Sequence, residues 1–129
     1  MTSRLGITST FEIAAAHHLP HHAGKCHRLH GHNYRLEFTR YGQPKPDTWH
    51  MEGDTRIWDS DVGMVADFGD FDAAIKAVLD RLDHYTLNDL PGLENPTAEH
   101  LALWLLKQLP SVDRVVVWET GRHCATAER

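Results

Sequence analysis

Cysteine is scarce in this sequence, net positive charge is absent, and no apolar run is long. The two cysteines, Cys26 and Cys124, lie far apart, and a single distant pair is too sparse for a disulfide framework. Either thiol can therefore be free. With 13 Lys and Arg against 18 Asp and Glu, the net charge is −5, which argues against a general nucleic-acid or membrane binder and requires any anionic ligand to be held by local positive charge. The opening residues, MTSRLGITSTFEIAAAHHLP, contain no stretch of the length a signal peptide or a membrane span needs. A cytoplasmic protein is expected. Repeats, low-complexity tracts and long linkers are also missing, and the length suits one domain, 1–129, burying roughly two thirds of its unfolded surface.

What is present reads as strands, then helices, then a strand. Leu5, Ile7, Phe11, Ile13, Ala15 and His17 share one phase of an alternation. His32, Tyr34, Leu36 and Phe38 alternate with Asn33, Arg35, Glu37 and Thr39, the period of a half-buried strand. From 41 to 64 the chain turns polar and turn-rich, an extended loop or hairpin excursion with Pro44, Pro46 and Gly53 that also carries Trp49, Met51, Ile57 and Trp58. Asp67 and Asp70 suggest a helix cap, and Phe71, Ile75, Val78, Leu79 and Leu82 follow at helical spacing. A second helix is predicted to start near Asn95–Thr97, with Pro96 in its first turn and Leu101, Trp104, Leu105 and Leu109 on its buried face. DRVVVWET is apolar on both phases, which predicts a strand covered on both faces. Helices cover one face, and no element is left for the other, so another subunit is the expected cover.

Seven of the 11 histidines lie at positions 17, 18, 21, 22, 27, 30 and 32. Imidazole is the commonest protein ligand for zinc, and a catalytic site needs three protein ligands with a fourth position open. His30 and His32 are two apart, which puts them on one face of a strand but about 200° apart on a helix. They share the phase of Tyr34, Leu36 and Phe38, and His17 stands in the same relation to Phe11 and Ile13. If the two strands pair, three imidazoles converge from one sheet face. His18, His21 and His22, in a loop with Pro20 and Gly24, read as solvated. Spacing leaves Cys26 open: it is either a fourth ligand closing a structural site or a free nucleophile or base beside an open three-histidine site.

Two further positions carry titratable groups. Asp83 next to His84 offers a carboxylate and an imidazole for moving protons near neutral pH, or an exposed helix end with a cation favourable to the dipole. Glu119 ends the doubly apolar strand, where a carboxylate is either solvated or a buried acceptor for a ligand's N–H groups. Cys124, in a short C-terminal run, reads as inert.

Taken together, FEIAAAHHLP, KCHRLHGHNY, GMVADF, LDHYTLNDLPGLENPTAEHLA and VVVWET make the chain resemble the 6-pyruvoyltetrahydropterin synthase family, and within it the 6-carboxytetrahydropterin synthases of the queuosine pathway. Cys26, His30, Gly31 and His32 meet the family's CxxxHGH signature with three residues between the cysteine and the first histidine. The mammalian pyruvoyl-forming enzymes carry a longer gap, and relatives that make a folate precursor have Glu at or directly after the cysteine, where this chain has Cys26 and His27. The 41–64 excursion is longer than compact members of the branch carry.

The resemblance implies an α+β tunnelling (T-) fold: a four-stranded antiparallel sheet with two helices on one face, three subunits closing a barrel, and a homo-oligomer of two stacked rings, a hexamer as a dimer of trimers. It also implies Zn2+ held by His17, His30 and His32, Cys26 as a catalytic base, Asp83 with His84 as a proton relay, and Glu119 as the pterin anchor, linked to the relay. The implied reaction takes 7,8-dihydroneopterin triphosphate to 6-carboxy-5,6,7,8-tetrahydropterin, with Lys25, Arg28 and His27 as the nearest cations for the triphosphate. Rival readings are pyruvoyl formation or folate-precursor aldolysis on the same scaffold, and a non-catalytic zinc-stabilised binding module closed by Cys26.

Overall fold

A computed structural model describes residues 3–129. The alternating N-terminal segment forms β1 (Gly6–His17), and after a loop with a short 3-10 turn at Lys25–His27 the chain returns as β2 (His30–Tyr41). The two pair antiparallel along their whole length, from Gly6 opposite Tyr41 to His17 opposite His30. The excursion contains a small hairpin, β3 (Trp49–Glu52) and β4 (Thr55–Trp58), turning at Gly53 with φ +62°, a conformation that glycine adopts without a side-chain clash. Helices α1 (Phe68–Leu79) and α2 (Ala98–Gln108) follow, then β5 (Arg114–Trp118) and β6 (Cys124–Glu128). The main sheet runs β1-β2-β5-β6, antiparallel throughout.

Both helices start on side-chain caps. The Asp67 carboxylate accepts from the Asp70 amide at 3.0 Å, and the Thr97 hydroxyl accepts from the His100 amide at 3.2 Å, each worth about 1 kcal/mol to its helix. Pro96 stands outside the first turn in which its spacing puts it: Thr97 is the cap, the helix starts at Ala98, and Pro96 precedes both. One sheet face meets the helices. Ile13, Ala15, Tyr34, Leu36, Phe38, Val115, Val117 and Ala127 pack against Phe71, Ile75 and Leu79 of α1 and Leu101, Trp104 and Leu105 of α2 in one hydrophobic core.

The opposite sheet face is largely polar, but the central valines of β5 are buried on both faces, as its doubly apolar run predicts. Val116 lies on that face yet is only 4% exposed in a single chain, flanked across the sheet by Glu37 and Thr126. Its burial does not itself demand a second subunit. Trp118, on the same face, donates its indole N–H to Glu37 at 2.9 Å. The fourth strand, β6, was also not visible as a strand: Cys124-Ala-Thr-Ala-Glu alternates small and polar residues without the branched or aromatic side chains that mark one. Among the described residues no helix is long and apolar enough to cross a membrane.

Candidate metal centre and active site

The core face of the β1–β2 hairpin changes character at its end. Ile13 and Tyr34 pair, then Ala15 and His32, then His17 and His30, so the alternation that buries apolar residues also turns three imidazoles inward. Their ring centroids lie 4.6, 4.9 and 5.0 Å apart. Glu119, just past β5, closes the group, and the ligand atoms of His17, His30, His32 and Glu119 all fall within 4.8 Å of one another.

Hydrogen bonds at the back of the rings establish which nitrogen faces the centre. His17, fully buried, directs Nδ1 at the Pro96 carbonyl at 2.8 Å, and His30 directs Nδ1 at the Arg28 carbonyl at 2.7 Å. A carbonyl only accepts, so both Nδ1 atoms carry the proton. The Tyr34 hydroxyl, 3.2 Å from His17 Nδ1, borders the same bond, and burial pushes its phenol up, with the Glu119 charge adding. The Nε2 atoms of His17 and His30 then face each other at 3.0 Å, and with both Nδ1 protons committed, a positive charge is required between them: a proton or a metal ion. His32 Nε2 is buried with no hydrogen-bond partner; Glu119 Oε1 is 3.1 Å away but off the line of a hydrogen bond.

Electrostatics agree with that geometry. Burial holds the His32 imidazole below its usual value, with His17 and His30 pushing the same way and Glu119 opposing. Glu119 is held below the usual carboxylate range chiefly by its hydrogen bond with His17, with burial opposing and the histidine charges adding. An uncharged imidazole and an ionised carboxylate are the protonation states a cation needs. Three nitrogens and one oxygen suit a divalent ion of zinc type.

The remaining candidates lie outside this cluster. Cys26, on the short turn at Lys25–His27, is partly exposed and is a free thiol. Lys25, His27 and Arg28 are exposed around it, as are His21 and His22. Asp83 and His84 follow α1. Neighbouring side chains rarely meet, but His84 takes a left-handed backbone, φ +66°, and its Nδ1 comes within 3.0 Å of Asp83 Oδ1. Such a conformation costs about 1–3 kcal/mol in a non-glycine residue and marks a position held by its surroundings. His84, His32 and Asn33 share the rim of an open groove of about 400 Å3 with Ala14, Ala16 and Gly31. The supporting contacts of Pro96, Arg28 and Tyr34 were not read from sequence, because two of them are backbone carbonyls with no residue signature.

Fold and cluster together define a two-layer α+β domain with a histidine–carboxylate cluster able to hold a metal ion at the end of a hairpin. The profile of the 6-pyruvoyl tetrahydropterin synthase family matches residues 6–129, and the chain belongs to that family. It is 39% identical over 133 residues to the 6-carboxy-5,6,7,8-tetrahydropterin synthase of Synechocystis sp., covering 95% of this chain and 90% of that one. The Haemophilus influenzae protein of the same name is 34% identical over 140 residues, covering 88% and 92%. The solved structure of the Caenorhabditis elegans 6-pyruvoyl tetrahydropterin synthase shares the fold, with a TM-score of 0.79 at 22% identity over 98% of this chain and 96% of that one.

Proposed function

We propose that the protein is a zinc-dependent carbon–carbon lyase that converts 7,8-dihydroneopterin triphosphate and water to 6-carboxy-5,6,7,8-tetrahydropterin, releasing acetaldehyde and triphosphate, in queuosine biosynthesis. The observation that carries it is the convergence of His17, His30 and His32 with Cys26 outside the cluster, in a chain similar over most of its length to proteins named for that product. A cysteine needed to close a structural site would belong among the ligands; the group that lies within reach of the three imidazoles is instead the Glu119 carboxylate.

In this reading His17, His30 and His32 hold the ion, which, when bound, supplies Lewis acidity to the substrate's side-chain hydroxyls and so acidifies neighbouring positions. Cys26, as thiolate, removes a proton from the side chain. The Asp83 carboxylate, 3.0 Å from His84 Nδ1, steadies the imidazole by charge, leaving Nε2 to return a proton as the ring is reduced and the side chain is cleaved. The hydride equivalents stay within the substrate, so no external redox cofactor enters. Glu119 stands at the opening of the centre to accept the pterin N–H groups, and Lys25, His27 and Arg28 meet the triphosphate from the exposed turn. Assembly into a barrel of three subunits, two rings stacked, belongs to the same proposal and is supported by a sheet order that leaves β6 and the part of β1 before Ala14 at its edges, where a strand of another copy can pair.

The test is product identification by mass spectrometry with 7,8-dihydroneopterin triphosphate as substrate. 6-Carboxytetrahydropterin with acetaldehyde is expected; pyruvoyltetrahydropterin or a hydroxymethylpterin as main product overturns the assignment. Cys26→Ala should keep zinc and fold and lose turnover, whereas loss of zinc would return the thiol to the structural site.

A further inference from the structure

An edge strand leaves every second residue with its backbone N–H and C=O pointing away from the sheet, and buried or half-buried groups of this kind need partners. On β1 the outward residues near the metal end are Ala14 and Ala16, with His18 next in phase. None meets another strand of the main sheet, whose order places β1 at the edge. They meet the segment 83–88 instead. The Ala14 amide donates to Asp83 Oδ1 at 2.9 Å, the His84 amide donates to the Ala14 carbonyl at 2.6 Å, and the Ala16 amide donates to the Tyr85 carbonyl at 3.1 Å.

At His18 the segment changes means. The Asn88 carboxamide takes both backbone groups: its Oδ1 accepts the His18 amide at 3.0 Å and its Nδ2 donates to the His18 carbonyl at 2.9 Å. A donor and an acceptor presented side by side admit one orientation of the amide. Nδ2 also reaches the Glu94 carbonyl at 3.4 Å, which ties in the stretch leading to Pro96. That residue's carbonyl in turn takes the His17 Nδ1 proton. One continuous segment therefore grips β1 on both sides of His17, orients its ring and carries the Asp83–His84 pair.

We propose that Asn88 is a positioning residue for the metal centre, and that the 83–96 segment it anchors couples metal binding at His17 to the placement of Asp83 and His84. This rests on the metal reading of the histidine cluster. Removing the carboxamide frees the end of β1 beyond His17 and loosens the path to the Pro96 carbonyl, so His17 presents Nε2 less often to the ion. By thermodynamic reciprocity, zinc bound at Nε2 steadies the segment and with it the relay pair.

The experiment uses Zn2+ as the probe. Zinc affinity is measured by chelator competition, and coordination by the visible spectrum of the Co2+-substituted protein, for wild type, Asn88→Ala, Asn88→Asp and Ile75→Ala. Ile75 is a buried α1 residue whose truncation lowers stability while removing none of the hydrogen bonds of the segment. Amide exchange at Ala16 and His84 is followed with and without zinc. In wild type, zinc should slow both amides. Asn88→Ala should weaken zinc binding by roughly 10–100-fold, the range for outer partners of a ligating histidine, alter the Co2+ spectrum and abolish most of the zinc-induced protection. Asn88→Asp, which retains the acceptor for the His18 amide but not the donor for its carbonyl, should shift the same way. Unchanged zinc affinity in Asn88→Ala, an equal loss in Ile75→Ala, or wild-type amides indifferent to zinc each overturn the proposal while leaving the metal site standing. A wild-type protein that binds no zinc removes the metal reading and this coupling together.

Discussion

Two hairpins of this chain, β1–β2 and β3–β4, place a histidine near a carboxylate in different ways. In β1–β2, His32 and Glu119 meet at 3.1 Å with side chains only 21% and 26% exposed, at the end of a strand pair whose 12-residue registers continue the core. In β3–β4, His50 and Glu52 meet at 3.3 Å with side chains 55% and 68% exposed, on strands of four residues. Distance alone does not separate them. What differs is that the first group is half-buried and has two neighbouring imidazoles, those of His17 and His30, whose rings are fixed from behind by backbone carbonyls. The second is an exposed ion pair, worth little to fold or function.

The sharpest way to break the comparison is to delete one histidine from each hairpin. His30→Ala removes a ligand and should lower zinc affinity by more than about 100-fold, since even outer partners contribute 10–100-fold, and turnover should fall with it. His50→Ala should leave both unchanged. Zinc content after dialysis against a chelator, beside the product assay, reads the difference. Equal zinc retention in the two variants would mean that the three-imidazole cluster is not the metal site.

A second difference is structural. Leu36 is fully buried in β2 at the centre of the core, so Leu36→Ala should cost about 2–5 kcal/mol. Trp58→Ala, in a residue 50% exposed, removes part of an aromatic cluster in which Trp58 pairs across from Trp49 and the Arg56 guanidinium lies 4.3 Å from the Trp49 ring centre. It should cost about 1 kcal/mol or less. Urea midpoints measure both, and a Trp58 cost comparable to that of Leu36 would show the small hairpin to be part of the core.

These contrasts also explain what could be read before the coordinates. A period of two is set by the strand itself, so placing His17, His30 and His32 in the phase of Ile13, Tyr34 and Leu36 was enough to bring them together once β1 and β2 paired. The cap at Asp67 was legible because a short polar side chain before a helical apolar run has a local cause, whereas the start of α2 was legible only to within Asn95–Thr97. The contacts that finish the site have no local cause. Pro96 supplies a carbonyl, which any residue has; its partner, His17, is 79 residues earlier in the chain. Glu119 could be read as solvated or buried because its burial depends on where β5 ends relative to β2. The Asp83–His84 pair stood open between a proton relay and an exposed helix end, because the left-handed turn that brings the two side chains within 3.0 Å is invisible in composition.

Acid should separate the two histidine–carboxylate pairs further. His32 and Glu119 both have folded values below their ordinary ones, 6.5 and 4.5. The unfolded chain therefore binds more protons than the folded chain, and stability rises with pH across these ranges. In the metal-free protein the His32 contribution is fully present above pH 6.5 and is lost as pH falls through its lower folded value; Glu119 follows below 4.5. Urea midpoints should drop between pH 7.5 and 5, and His32→Gln should flatten that slope, whereas His50→Gln should not. An unchanged slope in His32→Gln would assign the acid sensitivity to other groups.

The smallest expected effect lies in the turn of the short hairpin. Gly53 adopts φ +62°, and a Cβ there would meet nothing within 4 Å, so Gly53→Ala tests backbone conformation with no clash to confuse it. The substitution should cost the hairpin about 1–2 kcal/mol, the penalty for an L side chain in left-handed backbone. That strain is confined to two short strands that carry no candidate ligand. Faster amide exchange is expected across β3 and β4, with exchange of β1 and β2, zinc affinity and turnover all unchanged. If Gly53→Ala instead lowers turnover, the excursion reaches the active site of this or a neighbouring copy, and the division between a hairpin that carries chemistry and one that does not must be withdrawn.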